Sequence, residues 1–228
     1  MNKYPGSAEP QLRINTEHEW HSRGYLPHRD RLGLLQIITF RLADCLSQEK
    51  LKELEEELLV TARDAELGLR VPSVEVERRK RIENWLDAGM GCCALRHPQM
   101  AKVVEDTLLK FDGSKYKLIA WCIMPNHVHV LIEPLIELKK IIQSWKSYTG
   151  RWALKYNAEL GLRVPGENFW MADYWDRYIR DEKHFASAIE YIHNNPVKGA
   201  LCPSPEKWQW SSVRFLEQIG RASCRERV

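Results

Sequence analysis

Two apolar runs separated by a turn lie at the centre of the chain. The stretch from Trp121 to Pro134 reads WCIMPNHVHVLIEP, and its MPN segment is typical of a turn between strands. Successive side chains of a strand point to opposite faces, so His127 and His129 fall on the same face. That face also carries Leu131 and Glu133, and the opposite, buried face carries Val128, Val130 and Ile132. The pattern predicts a β-hairpin formed by residues 116–124 and 127–134.

The remaining periodicity predicts strands and helices on both sides of this hairpin. Strands are predicted over residues 34–42 and 169–180, which are rich in β-branched or aromatic side chains. Helices are predicted over residues 98–111, 138–160 and 181–195 from apolar stripes at helical spacing. The last helix is predicted to end at Asn195, because a residue that precedes proline is disfavoured in helical geometry.

A helical insertion is predicted after the first strand, over residues 43–96. It contains an amphipathic helix from Ser47 and a basic run at residues 78–81. Without the insertion, the order is β-α-β-β-α-β followed by a helix, which is the split β-α-β arrangement. The sequence therefore predicts an α+β, ferredoxin-like fold with an antiparallel sheet, helices on one face and a further C-terminal helix.

The two ends of the chain differ from the predicted domain of residues 34–212. Residues 1–33 are polar and irregular, and we expect an N-terminal arm there. Residues 219–228, IGRASCRERV, resemble translated sequencing-adapter sequence, and we expect a non-native tail. The tail carries three arginines and one glutamate, so without it the net charge of +3 falls to about +1. Only local basic patches can therefore indicate a nucleic-acid partner.

Composition favours a globular protein of a reducing compartment. A chain of 228 residues can bury a full core. No apolar run approaches the roughly 18 residues of a membrane span, and the N-terminus lacks the apolar core of a secretory signal. The six cysteines are scattered and form no CxxC pair. We expect a cytoplasmic protein without membrane association.

His127 and His129 are candidate metal ligands. Two imidazoles one residue apart on a strand face can hold one divalent ion. The alternative is that one histidine packs while the other is solvated, and this would be the better interpretation of a lone histidine. A pair on the polar face of a strand otherwise built from Val, Leu and Ile favours a metal site.

Six strings resemble the repetitive-extragenic-palindrome-associated (REP-associated) tyrosine transposases, a group of the single-tyrosine transposases in the HUH superfamily. They are TFRLADCL, FDGSKYKLIAWCIMPNHVHVLIEP, SWKSYTG, FWMADYWDRYIRDEKHF, YIHNNPVKGAL and PEKWQWSS, and they span most of residues 34–212. Members of the superfamily cut single-stranded DNA at or near hairpins, through a divalent metal and a covalent 5′-phosphotyrosine. The resemblance implies that His127 and His129 are the HUH pair. It also implies that Tyr191, on the C-terminal helix, is the nucleophile and that Asn195 completes the metal site.

The spacing of Tyr191 and Asn195 suits these roles. Residues four apart lie on one helix face, so an Asn195 carboxamide oxygen aimed at a metal would hold the Tyr191 hydroxyl beside it. A pKa near 10 makes tyrosine a weak nucleophile at neutral pH, so it needs this help. From spacing alone, an edge-of-core tyrosine and a helix-end asparagine would be the simpler interpretation. Tyr148 is the alternative nucleophile, although its place along a stripe with Trp145 and Trp152 favours packing.

Further candidates surround this set. Aromatic and basic residues near the last strand could stack bases and contact phosphates, with a core role for one of its faces. They are Tyr174, Trp175, Arg177 and Arg180. Glu133 and His193 are lesser candidates: Glu133 could orient the histidines, and a surface position is the alternative interpretation for His193.

The sequence thus predicts a metal-dependent single-strand DNA endonuclease and strand transferase that acts on hairpin-forming repeats. The expected metal is Mg²⁺ or Mn²⁺, and the expected partner is single-stranded or hairpin DNA. The protein is expected to be a monomer or homodimer associated with the nucleoid. A non-catalytic nucleic-acid-binding protein on the same fold is the alternative, and a metal-dependent phosphoesterase of small nucleotides is a third hypothesis.

Overall fold

The computed structural model describes residues 21–22, 27–28, 32–46, 49–50, 52–54, 56–58 and 74–215. Within the predicted arm, strands β1 (His21–Ser22) and β2 (Pro27–His28) form an antiparallel pair. The predicted tail of residues 219–228 and the predicted helix start at Ser47 lie outside the described residues.

Four further strands form the main sheet. They are β3 (Gln36–Arg41), β4 (Tyr116–Ile123), β5 (His127–Pro134) and β6 (Trp175–Tyr178), in the order β4-β5-β3-β6 with every neighbour antiparallel. Strand β3 lies at the centre, where Thr39 is opposite His129 and Arg41 is opposite His127. This sheet and its helices confirm the predicted α+β class.

Helices cover both faces of the sheet. The longer described helices are α1 (Val74–Asp87), α2 (Pro98–Lys110), α3 (Leu138–Leu160) and α4 (Glu182–Lys198). Helices α2 and α3 pack on one face, in a core that includes Ile38, Phe40, Val128, Val130, Met100, Leu108, Ile141 and Trp145. Helix α4 packs on the other face, in a core that includes Ile37, Ala120, Leu131, Ala188 and Ile192. The prediction of helices on one face therefore holds for α2 and α3, and the further C-terminal helix α4 covers the other face.

The predicted strand over residues 169–180 was too long, since only Trp175–Tyr178 pair as a strand. Phe169 and Trp170 are adjacent yet both buried in the same core, an arrangement that strand alternation forbids. The next three carbonyls, of residues 171–173, accept hydrogen bonds from Lys146 Nζ at 2.8 to 3.0 Å. The loop is thus held by a side chain on α3.

The prediction that the last helix ends at Asn195 was wrong, because α4 continues through Pro196 to Lys198. Proline removes one backbone donor, but the next turn is still closed by the Gly199 N–H, which donates to Asn195 O at 2.8 Å. Pro196 is itself buried. Packing therefore outweighs the local preference, and the helix carries Asn195 in its interior.

The fold predicts the cost of removing one buried hydroxyl. Tyr116 Oη donates to Leu108 O at 2.6 Å and accepts from Trp145 Nε1 at 3.0 Å. Tyr116→Phe would leave the buried indole N–H without a partner, so we expect it to lower the free energy of unfolding by about 1–3 kcal/mol. Urea denaturation would measure this. The matched control Tyr148→Phe alters a side chain that is 52% exposed and should change stability by less than about 0.5 kcal/mol. Equal effects of the two substitutions would contradict the prediction.

Candidate active site

The two histidines of β5 lie on the sheet face that α4 covers. His127 and His129 are only 1% and 2% exposed, so the face predicted to be polar is in fact buried. Their rings are nearly perpendicular, and the two Nε2 atoms are 2.9 Å apart. The pair therefore presents two ring nitrogens to one point beneath α4.

The outer nitrogens of both rings are held by neighbouring side chains. His127 Nδ1 lies 2.7 Å from Asn126 Oδ1, and Asn126 Nδ2 donates to Met90 O at 2.9 Å. Asn126 Oδ1 can only accept, so His127 carries its hydrogen on Nδ1 and leaves a lone pair on Nε2. His129 Nδ1 lies 2.8 Å from Thr39 Oγ1, a hydroxyl that can donate or accept.

Helix α4 brings Tyr191 to this pair and carries Asn195 one turn further along. The Tyr191 ring centroid is 5.3 Å from that of His129. Asn195 Nδ2 donates to Tyr191 O at 2.8 Å, whereas Asn195 Oδ1 is buried and has no hydrogen-bond partner among the described residues. A buried amide oxygen without a partner is costly, and this one belongs to the residue predicted to complete a metal site.

These groups fit one divalent ion. Two nitrogens bound at right angles, each about 2.1 Å from an ion, would lie about 3.0 Å apart, close to the observed 2.9 Å. Asn195 Oδ1, buried and without a hydrogen-bond partner among the described residues, would be the third donor. No cluster of three or more His, Cys, Asp or Glu side chains able to hold a metal occurs in the described part of the chain, so this site depends on the amide oxygen.

Burial keeps both imidazoles neutral, which ligation requires. Burial lowers the pKa of His129 to about 3, with a further contribution from the positive charge of Lys198. Burial also lowers the pKa of His127 well below its ordinary value, assisted by His129, Arg41 and Lys198. The site therefore combines neutral donors with nearby fixed positive charge.

Sequence reasoning missed four residues around the pair. Thr39 and Arg41 on β3, Asn126 in the turn and Lys198 at the end of α4 were not predicted. A signal existed for the first two, because they alternate as polar positions in the apolar run QIITFRL and therefore share a face.

Three other predicted residues do not reach the site. Glu133 lies at the far end of β5, where it forms an ion pair with Lys117 at 3.0 Å. His193 is not at the surface but buried, with Nε2 2.8 Å from Ser212 Oγ, and burial lowers its pKa. Tyr148 does not pack in the core as predicted. It lines a groove between α2 and α3, on the opposite side of the sheet.

The predicted DNA-contacting residues divide between the two faces of the sheet. Trp175 and Arg177 are opposite Thr39 and Ile37, so they share the histidine face. Tyr174 packs against the core under α2 and α3. Arg180 is exposed beside the start of α4.

Residues 96–195 match the family model described as IS200-like transposase. Across these residues, which are a little under half of the chain, the protein is similar to IS200-like transposases. The matched segment runs from the residues just before α2 into α4 and contains both histidines, Tyr191 and Asn195. The match confirms the resemblance that the sequence motifs indicated.

Two curated relatives match part of the chain. The chain is 24% identical over 104 residues to a Haemophilus influenzae protein provisionally named a REP-associated tyrosine transposase, and the match covers 42% of this chain and 58% of the relative. It is 23% identical over 109 residues to the REP-associated tyrosine transposase of Escherichia coli K12, covering 46% and 58%. The chain thus spans a little over half the length of these curated relatives.

A solved structure of a REP-associated tyrosine transposase bound to a REP hairpin is also similar. It is 17% identical, with a TM-score of 0.49, and 87% of each chain is covered.

Among the described helices of the present chain, none is long and apolar enough to cross a membrane.

Burial of neutral imidazoles predicts acid sensitivity of the metal-free protein. In the unfolded chain a histidine takes up a proton as the pH falls through about 6.5, whereas His129 in the folded protein stays neutral down to about 3. The unfolded state therefore binds more protons over this range, and the free energy of unfolding falls by up to about 1.4 kcal/mol per pH unit for each such histidine.

We expect His129→Gln to flatten this dependence, as measured by urea denaturation in chelator from about pH 7.5 to about pH 4.5. Above pH 7, where both states are neutral, the wild-type and variant curves should run parallel. An equally steep fall in the variant would contradict burial of a neutral His129.

Proposed function

We propose that the protein is a metal-dependent endonuclease and strand transferase that cuts single-stranded DNA at hairpin-forming repeats through a 5′-phosphotyrosine on Tyr191. The observation that carries the proposal is Asn195 Oδ1, which is buried and has no hydrogen-bond partner in the part of the chain that the structure describes. It lies one helical turn from Tyr191, whose ring contacts that of His129. The match of residues 96–195 to the IS200-like transposase model, which includes the two histidines, Tyr191 and Asn195, supports the proposal.

His127, His129 and Asn195 would hold the metal, with Mg²⁺ or Mn²⁺ as the predicted ion. When bound, a divalent cation polarises a phosphate oxygen and offsets the charge that develops on it. The chain contributes the rest of the arrangement. Asn126 and Thr39 orient the imidazoles, burial keeps them neutral, and α4 fixes Asn195 relative to Tyr191.

Tyr191 is the proposed nucleophile. Its Oη would bond to the phosphorus of the scissile phosphodiester as the bond from phosphorus to O3′ breaks. The phenol loses its proton, and the leaving 3′ oxygen gains one. Because the 5′ phosphate stays on Tyr191 as a phosphodiester, a 3′ hydroxyl can reverse the step on another strand. The same chemistry therefore gives both cleavage and strand transfer.

Arg41 and Lys198 would bind the phosphate. Arg41 lies opposite His127 in the sheet, and no hydrogen bond or ion pair joins its guanidinium to another described residue. Burial lowers its pKa from the usual value, and a desolvated guanidinium is well suited to a phosphate. Lys198 contributes positive charge to both histidines while Asp87 holds its ammonium at 2.7 Å.

The proposed DNA partner follows from the relatives and from the histidine face. Two curated relatives carry the REP-associated name, and a palindromic single strand folds into a hairpin because its halves are complementary. Trp175 and Arg177 share the face of the histidines, where an aromatic ring and a guanidinium suit an unpaired nucleotide.

The central test is a covalent adduct. Wild-type protein incubated with a labelled hairpin oligonucleotide and Mn²⁺ should give a denaturant-stable protein–DNA species, and chelator should abolish it. Tyr191→Phe should bind the hairpin normally yet form no adduct, because it lacks the attacking oxygen. Tyr148→Phe is the matched control and should react like the wild type.

Several outcomes would contradict the proposal. An adduct that persists in Tyr191→Phe and disappears in Tyr148→Phe would move the nucleophile to the other tyrosine. Binding without any adduct or cleavage would favour the non-catalytic nucleic-acid-binding alternative. Hydrolysis of small nucleotides without an adduct would favour the phosphoesterase.

The role of Arg41 gives a second prediction. Arg41→Met roughly keeps the side-chain length and removes the charge. We therefore expect cleavage to slow about 10- to 100-fold, which corresponds to the free energy that a hydrogen bond to a charged group contributes. Affinity for Mn²⁺ should not weaken, because a positive charge near the site is removed. The control Arg151→Met alters an exposed residue on α3 and should leave cleavage unchanged. Equal rates for wild type and Arg41→Met would contradict phosphate binding by Arg41.

A further inference from the structure

The insertion of residues 43–96 contacts the turn that leads into the histidine strand. Met90 O accepts from Asn126 Nδ2 at 2.9 Å, and Asn126 is fully buried. The Leu95 N–H donates to Pro125 O at 3.1 Å. On the other side of the insertion, the Leu42 N–H donates to Asn126 O at 2.9 Å. The turn is therefore held where the insertion leaves the sheet and where it returns.

The returning segment is itself fixed. Asp44 Oδ2 accepts from the Cys92 N–H at 2.7 Å. Gly91 has a φ of +87°, and a Cβ at this position would lie 2.8 and 2.9 Å from Asp44 Oδ1 and O. Only glycine fits there, so Met90 O is held in one place by its neighbours.

The insertion also reaches the end of α4. Asp87, the last residue of α1, lies 2.7 Å from Lys198 Nζ in an ion pair. A Cβ at Gly199 would lie 3.6 Å from Asp87 O and 3.3 Å from Met124 Cε. One side of the insertion thus touches both elements that carry the candidate metal ligands.

We propose that the insertion is a positioning element for the metal site. Through Asn126, the Met90 carbonyl fixes His127 in the form with hydrogen on Nδ1 and directs its Nε2 lone pair toward the metal. Through its ion pair with Lys198, Asp87 fixes the end of α4, and this directs Asn195 Oδ1 toward the same metal ion. The metal part of this inference rests on the proposed function, whereas the histidine form is a property of the metal-free protein.

Gly91→Ala tests the inference from within the insertion, because it displaces the return segment without altering a ligand. The control Gly113→Ala has an equally left-handed φ of +77° with no atom within 4 Å of the added Cβ. Nitrogen-15 NMR of the imidazoles in metal-free protein would report the form of His127, and titration with Mn²⁺ alone would report affinity.

We expect Gly91→Ala to mix the two forms of His127 and to weaken Mn²⁺ binding about 10- to 100-fold, as for other groups that orient metal ligands. Gly113→Ala should lose stability without either change. If Gly91→Ala does not fold, Asp44→Ala removes the Cys92 contact without adding bulk and should show the same two effects.

The outcomes distinguish a failure of the proposed metal site from a failure of the positioning role of the insertion. Wild-type protein that binds no Mn²⁺ would refute the proposed metal site, and the NMR comparison would still decide the positioning role. A folded Gly91→Ala or Asp44→Ala protein with the wild-type form of His127 and wild-type Mn²⁺ affinity would overturn that role.

Discussion

Burial of two imidazoles between β5 and α4 is the constraint on which the site depends. Polar groups removed from water need partners, at a cost of about 1–3 kcal/mol for each one left without. The protein supplies them: Asn126 and Thr39 hold the outer nitrogens, and the inner nitrogens face each other at 2.9 Å. Asn195 Oδ1 is the one polar side-chain atom of this group left unpartnered among the described residues. A single cation at this point would satisfy all three inner donors together.

The two faces of the sheet have different roles: one packs in the main core, and the other carries the candidate site. Helices α2 and α3 bury one face in a continuous apolar and aromatic core, which holds β5 and β3 rigidly. The other face carries Thr39, Arg41 and the histidines, and among the longer described helices α4 is the one that packs in the core on that side. A strand would hold two of the proposed ligands, and a helix would hold the third beside Tyr191, so packing rather than loops would set the distances that the proposed chemistry needs.

Much of this could be predicted from the chain because alternation and helical spacing are local. Alternation along β5 placed His127 and His129 on one face, and a spacing of four placed Tyr191 beside Asn195. What covers a face depends on distant residues, so burial of that face under α4 could not be predicted. For the same reason the Met90–Asn126 contact and the Asp87–Lys198 pair, which link residues far apart in sequence, were not foreseen. The predictions from local preference were wrong at two places, because packing outweighed it. The helix continues through Pro196, and Phe169 and Trp170 are buried in one core instead of alternating along a strand.

The most direct test is to locate the ion. Crystals grown with Mn²⁺ should show one anomalous scattering peak within about 2.3 Å of His127 Nε2, His129 Nε2 and Asn195 Oδ1, since these are ordinary ligand distances. The histidine rings and α4 should keep their present positions. A peak bound only to other residues, or no peak beside Tyr191 at saturating Mn²⁺, would contradict the account.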